Sequence, residues 1–234
     1  MILLRLSGHS CAGKTRLVEA LPRYGIDIPK VLRYTSRPAR PGEFHGQDYY
    51  FMSRSFIEKL PKEDFLVGPV RNMLQAFDLS QLENDLQRYD LLLIEIYPAL
   101  WPLLLERLSE RLEEKLITAS VFLTAVDPEK IRSIKDDIDK AGYITGEVKK
   151  MLINRGKDDP EDIEIRASYA AREITQAIGQ EGKWLYSRII HSSPEGPDGK
   201  DDWTKDNAPV GQAATAMEEF TSFYQDLRST SLSR

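Results

Sequence analysis

The sequence predicts an α/β fold: a parallel five-stranded sheet with helices on both faces, a small inserted subdomain and a helical lid. Three observations point there. Five apolar runs have the length of buried strands: Ile2–Leu6, Val31–Thr35, Leu91–Ile96, Ala119–Val126 and Arg188–His191. Helical patterns or polar insertions separate them, and such alternation marks parallel strands joined by crossover helices. A glycine-containing loop, Gly8 to Thr15, stands between the first strand and a helical stretch, the order that a phosphate-binding turn requires.

Along the chain, Ile2-Leu3-Leu4-Arg5-Leu6 is the first strand, and Arg16 to Leu21 lies in the first helix. Residues 36 to 78 read as the inserted subdomain. Ser36 to Phe51 is rich in Pro and Gly and predicts turns and short edge strands. Ser53 is an N-cap candidate for a helix from Phe56 to Leu60, closed by Pro61. Leu79–Arg88 and Trp101–Leu116 have helical spacing, the second with Leu103, Leu104, Leu108, Leu112 and Leu116 as apolar positions. Residues 127 to 180 are charged and mostly helical. Asp127-Pro128-Glu129 opens one helix, Gly142 and Gly146 break the pattern, and a second helix runs from Glu147 to Asn154. A third, opened by Asp159-Pro160-Glu161-Asp162, reaches Ile178. High charge with few apolar positions to bury suits a mobile lid. Residues 192 to 209, rich in Pro, Gly, Asp and Lys, are expected as a surface loop. An amphipathic helix from Gln212 to Leu227 follows.

At 234 residues, 41% hydrophobic and 29% charged, the chain suits one domain, residues 1 to 234, with insertions. A net charge of −5 provides no global basic field, so neither nucleic acid nor a membrane surface is an expected partner. Cys11 is the only cysteine, which leaves no intrachain disulfide and points to a reducing, cytoplasmic setting. Met1–Leu6 is too short for a signal h-region, and Leu91–Ile96 is far short of a membrane span. A monomer or homodimer is expected.

The loop carries the first chemistry. Gly8-His9-Ser10-Cys11-Ala12-Gly13-Lys14-Thr15 fits G-x-x-x-x-G-K-[ST]. The glycines let the backbone turn so that successive N–H groups face phosphate oxygens, which makes all eight residues candidates for holding a nucleotide. Lys14 is a point charge for the β- and γ-phosphates, and Thr15 offers a hydroxyl to Mg²⁺. The helix N-terminus behind the loop also favours anions. Cys11 lies where loop N–H groups could lower a thiol pKa, although its size suits a small filler. The second signal is Arg37 and Arg40 with Tyr49 downstream: two guanidinium forks and a phenol suit a second phosphate. Glu95 ends a strongly apolar strand and resembles the carboxylate that holds Mg²⁺ through water in P-loop proteins. It is a candidate for metal and substrate alike. Arg155 and Arg166 stand in the charged helical region, where arginines can swing over phosphates and neutralise charge in the transition state.

These residues resemble the guanylate kinases, P-loop nucleoside monophosphate kinases. The first match is Gly8 to Thr15 followed by Leu17. The second is Thr35-Ser36-Arg37-Pro38-Ala39-Arg40-Pro41-Gly42-Glu43, then Gly46, Asp48-Tyr49-Tyr50-Phe51 and Ser53. The third is Arg155-Gly156, an acidic run, Arg166 and Ala170-Ala171-Arg172-Glu173-Ile174. The resemblance implies a P-loop NTPase-type core, an acceptor-binding subdomain at 36–78 and a lid at 127–180. It implies transfer of the γ-phosphoryl of ATP, with Mg²⁺, to a nucleoside monophosphate, with GMP or dGMP foremost. Arg37, Arg40 and Tyr49 would hold the acceptor phosphate, and Lys14, Arg40, Arg155 and Arg166 would be the catalytic set.

The departures lie on the acceptor side. The family's base-reading glutamate falls at Val67, and its second base-reading acid falls at Tyr97. Asp78 is the candidate substitute. A site that loses such hydrogen-bonding groups relaxes or changes its choice. The segment from Asp127 to Lys150 is longer than the usual family connection. Two alternatives stay open at this point: a kinase of this fold with another phosphorylated small-molecule acceptor, and a guanylate-kinase-like nucleotide-binding module without catalysis.

Overall fold

A computed structural model describes residues 1–112, 116–156, 158–179, 185–192, 203 and 208–232. In chain order these form β1 (Ile2–Gly8), α1 (Lys14–Ala20), β2 (Tyr34–Thr35), β3 (Tyr50–Phe51), α2 (Arg54–Ile57), β4 (Phe65–Val70), β5 (Met73–Asp78) and α3 (Leu79–Arg88). Next come β6 (Leu91–Glu95), α4 (Trp101–Ser109), β7 (Ile117–Thr124), α5 (Pro128–Ser133), α6 (Asp137–Arg155), α7 (Pro160–Ile178), β8 (Arg188–His191) and α8 (Gly211–Leu232). The fold is α/β as expected. One sheet has the order β6-β1-β7-β8, and a second has the order β3-β2-β5-β4. The chain divides into two compact units: residues 1–5 with 28–119, and residues 6–27 with 120–234.

The first unit corrects the expected five-strand count. The predicted strand Val31–Thr35 divides its pairing. Lys30 makes a single parallel bridge to Leu93, with Leu93 N–H donating to Pro29 O (2.9 Å) and Val31 N–H to Leu93 O (2.8 Å). Pro29 has no N–H to extend that ladder. From Arg33 onward the backbone turns to other partners: Tyr50 N–H donates to Arg33 O, and Tyr34 and Thr35 pair antiparallel with Ala76 and Gln75. Four strands plus one bridge therefore stand where five strands were expected.

The β4–β5 hairpin, an element not expected from the sequence, is in register from Phe65↔Asp78 to Val70↔Met73 and turns at Arg71, whose φ is 59°. Its side chains alternate. Leu66, Val70 and Phe77 join the main core, while Phe65, Val67, Leu74 and Ala76 pack with Ile57. Every residue of β6 is buried, which fits a strand covered on both faces. α3 and α4 supply Leu79, Leu82, Leu86, Trp101, Leu104 and Leu108 to that core. α4 ends at Ser109, short of the expected Leu116. α2 starts two residues earlier than expected, because the Ser53 side chain accepts from Phe56 N–H (3.2 Å) and fixes the first turn there.

In the second unit, the expected helix break at Gly142 and Gly146 is absent. α6 runs through both glycines, and the break falls at residues 134–136 instead, where Asp136 caps the new helix by accepting from Ile138 and Asp139 N–H. The interior glycines cost about 1 kcal/mol each, and burial of Ile144, Val148 and Leu152 offsets this. Those side chains share a core with Ala167, Ala170, Ala171, Ile174 and Ala177 of α7. The expectation of little apolar burial in this region is therefore also corrected: a stripe of small alanines lets the two helices pack closely. No helix among the described residues is long and apolar enough to cross a membrane. The expected surface loop at 192–209 lies mostly outside the described residues.

Candidate functional site

The second unit holds the phosphate loop. At its start Gly8 has φ 151°, and a Cβ there would lie 2.5 Å from the Leu123 carbonyl oxygen. At its end Gly13, the N-cap of α1, has φ 79°, and a Cβ would meet Ser192 Oγ at 2.9 Å and Trp203 Nε1 at 3.0 Å. Each motif glycine is thus required twice, for the turn and for close packing. Cys11 also has positive φ (68°), so the loop curls as an anion-binding nest does.

Two contacts pin the loop. Ser192 Oγ–H donates to Ala12 O (3.0 Å). The fully buried His9 accepts the Ala125 N–H on Nε2 (3.0 Å), which assigns its proton to Nδ1, 2.5 Å from Ser10 O. Burial, and then the charge of Lys14, push the His9 pKa down to about 3, so the imidazole is neutral and remains an acceptor. Lys14 folds back over the loop, donating from Nζ to Gly8 O (2.5 Å) and His9 O (3.0 Å). Thr15 is exposed in the first turn of α1.

The predicted arginine pair meets on a residue the sequence reading did not single out. Asp158 pairs with Arg155, while its Oδ1 lies 3.1 Å from Arg166 Nη1. Arg166 is buried and also faces Asp162 at 3.7 Å. Cys11 feels the charges of Arg155, Asp158, Lys14 and Arg166, so the loop and this pair share one electrostatic neighbourhood. Burial dominates at Cys11 and raises its thiol pKa, which fits the small filler rather than a thiol activated by loop N–H groups.

The first unit holds the other predicted residues. Arg37 clamps Glu43 with both ends of its fork (2.7 and 2.8 Å) and lies over Tyr49 and Phe51. Glu43 also accepts the Arg40 N–H (2.8 Å). Burial tends to raise the Glu43 pKa, but these hydrogen bonds and charges hold it below the ordinary value. The Arg40 side chain is exposed. Tyr49 accepts on its hydroxyl oxygen from Arg33 Nη2 (2.9 Å). Glu95 is buried and shared by two cations, Lys30 at 3.0 Å and Arg33 at 3.6 Å. Asp78 serves as the N-cap of α3, accepting from Gln81 N–H (2.9 Å). Val67 lies in the apolar cluster around Ile57, and Tyr97 is packed against the main core.

The structure thus brings Lys14, Arg155 and Arg166 together in one unit, and Arg37, Tyr49 and Glu95 in the other. It adds Asp158, Lys30 and Arg33, which motif reading missed, and gives His9, a candidate as part of the loop, the role of a buried acceptor that pins it. Lys30 and Arg33 left a signal, since both are cations beside or inside an apolar run. Among the described residues there is no cluster of three His, Cys, Asp or Glu able to hold a metal.

No family model matches the chain. Several guanylate kinases are similar to it. That of Nitrosospira multiformis is 48% identical over 62 residues, a match spanning 26% of this chain and 30% of that protein. The guanylate kinase of a Wolbachia species from Brugia malayi is 26% identical over 185 residues, 77% of this chain and 93% of that protein. A crystal structure of guanylate kinase from Anaplasma phagocytophilum superposes with a TM-score of 0.51 at 17% identity, covering 98% of this chain and 85% of that one, a likeness of fold. The guanylate kinase of Syntrophomonas wolfei is 30% identical over 177 residues, 74% of this chain and 77% of that protein. At that identity over that span, the chain belongs to the guanylate kinase family.

Proposed function

We propose that the protein is an ATP-dependent kinase that transfers the γ-phosphoryl group to GMP. The observation that carries this reading is the grouping of Lys14, Arg155 and Arg166 around the phosphate loop, with Asp158 holding both arginines. Phosphoryl transfer needs positioning and charge stabilisation more than covalent chemistry, and these groups supply both. Loop N–H groups receive the phosphates. Lys14 exchanges its carbonyl partners for β- and γ-oxygens. Arg155 and Arg166 stabilise charge on the transferring group. On the acceptor side, Tyr49 still has its hydroxyl proton to donate, Arg37 lies over its ring, and Arg37 and Arg40 would hold the acceptor phosphate with it.

Mg²⁺ suits this donor set. A hard cation held mainly by phosphates and water needs only one or two protein oxygens, and Thr15, exposed in the first turn of α1 next to Lys14, offers one. Thr15 would hold it, and Mg²⁺ would supply neutralisation of the developing charge. The relatives carry the guanylate kinase name, which does not favour another acceptor or a non-catalytic module.

The test is ADP release on addition of GMP to protein with ATP and Mg²⁺. Wild type should turn over, and Lys14→Ala should lower kcat roughly 10²–10³-fold. Undiminished turnover in that variant removes the loop from the mechanism.

A further inference from the structure

Arg33 stands out among the buried polar groups. It is 6% exposed. Its Nη2 serves Tyr49 and faces Glu95, and its Cζ lies 4.6 Å from the Tyr49 ring centroid. Its Nε and Nη1 are buried and have no hydrogen-bond partner. A buried donor left unpaired costs roughly 1–3 kcal/mol, and more on a charged group. Lys30 and Arg33 share the carboxylate of Glu95, and Arg33 lies beside the phenol assigned to the acceptor. A guanidinium has no acceptor atom, so whatever completes Arg33 must bring an oxygen or another hydrogen-bond acceptor.

We propose that Arg33 is the specificity-determining contact of the acceptor half, donating from Nε and Nη1 to an acceptor oxygen other than the phosphate that Tyr49 holds. This rests on the reading of Tyr49 as an acceptor contact. It gives the chain a way to choose its acceptor although Val67 and Tyr97 stand where acids would read the base. Two chemistries supply such an oxygen: the C6 carbonyl of a purine base, as in GMP, or a second phosphate on a sugar. The C6 amino group of adenine is a donor and opposes Arg33.

Calorimetric titration without ATP tests this apart from catalysis. The ligands are GMP, IMP and AMP, and ribose 1,5-bisphosphate against ribose 5-phosphate, with ATP affinity and thermal midpoint as controls. In wild type, GMP and IMP should bind at least tenfold more tightly than AMP, or the bisphosphate at least tenfold more tightly than the monophosphate; which ratio appears identifies the oxygen. Arg33→Gln should abolish that ratio while ATP affinity changes less than twofold. Arg33→Lys keeps the charge but loses the fork, guards against a folding failure and should also lose most of the preference. Equal weakening of all ligands would mean that Arg33 only supports Glu95 and Tyr49, and would overturn the proposal. So would an unchanged ratio, or no preference in wild type. A protein that binds GMP through Arg33 yet releases no ADP would instead overturn the kinase reading alone.

Discussion

The two units solve one electrostatic problem in different materials. In each, two cations share one buried carboxylate: Arg155 and Arg166 with Asp158, and Lys30 and Arg33 with Glu95. In the second unit Arg166 also faces Asp162 at 3.7 Å, so that cluster has a second carboxylate. In the second unit the cations lie at the end of one helix and inside the next, and Arg155 remains 29% exposed. In the first they lie beside short strands, and Arg33 is 7% exposed at its side chain. The lesson is that one buried carboxylate can hold two cations in place on either kind of element. Each cluster pairs a partly exposed cation, Arg155 (29%) or Lys30 (25%), with a buried one, Arg166 (8%) or Arg33 (7%).

The strongest way to break this comparison is to remove the two carboxylates. Taking one partner from a buried ion pair strands the others and costs about 3–5 kcal/mol. Asp158→Asn and Glu95→Gln should both lower stability by an amount near the low end of that range, read by urea unfolding. Their kinetics should separate: Asp158→Asn should lower kcat with little change in the KM for GMP, and Glu95→Gln should raise the KM for GMP several-fold with little change in that for ATP. If both variants alter the same parameter, the assignment of one cluster to transfer and the other to the acceptor is wrong.

The sequence revealed the two clusters unequally. Gly8 to Thr15 was legible because backbone geometry forces the residue types: Gly8 faces the Leu123 carbonyl and Gly13 faces Ser192, so neither tolerates a Cβ. Arg155 and Arg166 were legible through family spacing. Asp158 was not, since an acid in an acidic run carries no mark of being the buried one. Arg33 was hidden for the opposite reason. It interrupts an apolar run that read as one strand, and only the change of partners after Lys30 and Val31, from Leu93 to β3 and β5, gives it a separate setting. Gly142 and Gly146 misled because propensity is a weak prior beside the buried stripe of α6.

A smaller effect should appear in the second unit alone. The folded pKa of His9, about 3, lies below the ordinary 6.5, so the folded state binds fewer protons between those values. Stability from this group is full above about pH 6.5 and is lost as the pH falls toward 3, at up to about 1.4 kcal/mol per pH unit. His191, whose pKa burial also lowers, adds a slope of the same sign. His9→Gln removes only the first contribution. The pH dependence of its thermal midpoint should therefore be shallower than that of wild type across that window, while GMP affinity at pH 7 stays unchanged. An identical slope would show that His9 titrates normally and does not pin the loop as a neutral acceptor.

The smallest effect sharpens the contrast between helix-borne and strand-borne cations. Gly142 and Gly146 lie inside α6, the helix that carries Arg155, and a Cβ at either would meet no atom within 4 Å. Alanine there restricts the unfolded chain and favours the helix, so each substitution should stabilise by about 0.5–1 kcal/mol. The gain should be additive in the double variant, because each added methyl points into open space. The acceptor unit is untouched, so the KM for GMP should not move. If the glycines merely tolerate the helix, kcat is also unchanged. A fall in kcat together with the rise in thermal midpoint would show that α6 must flex for Arg155 to reach the phosphates, a demand that the strand-borne Arg33 does not share.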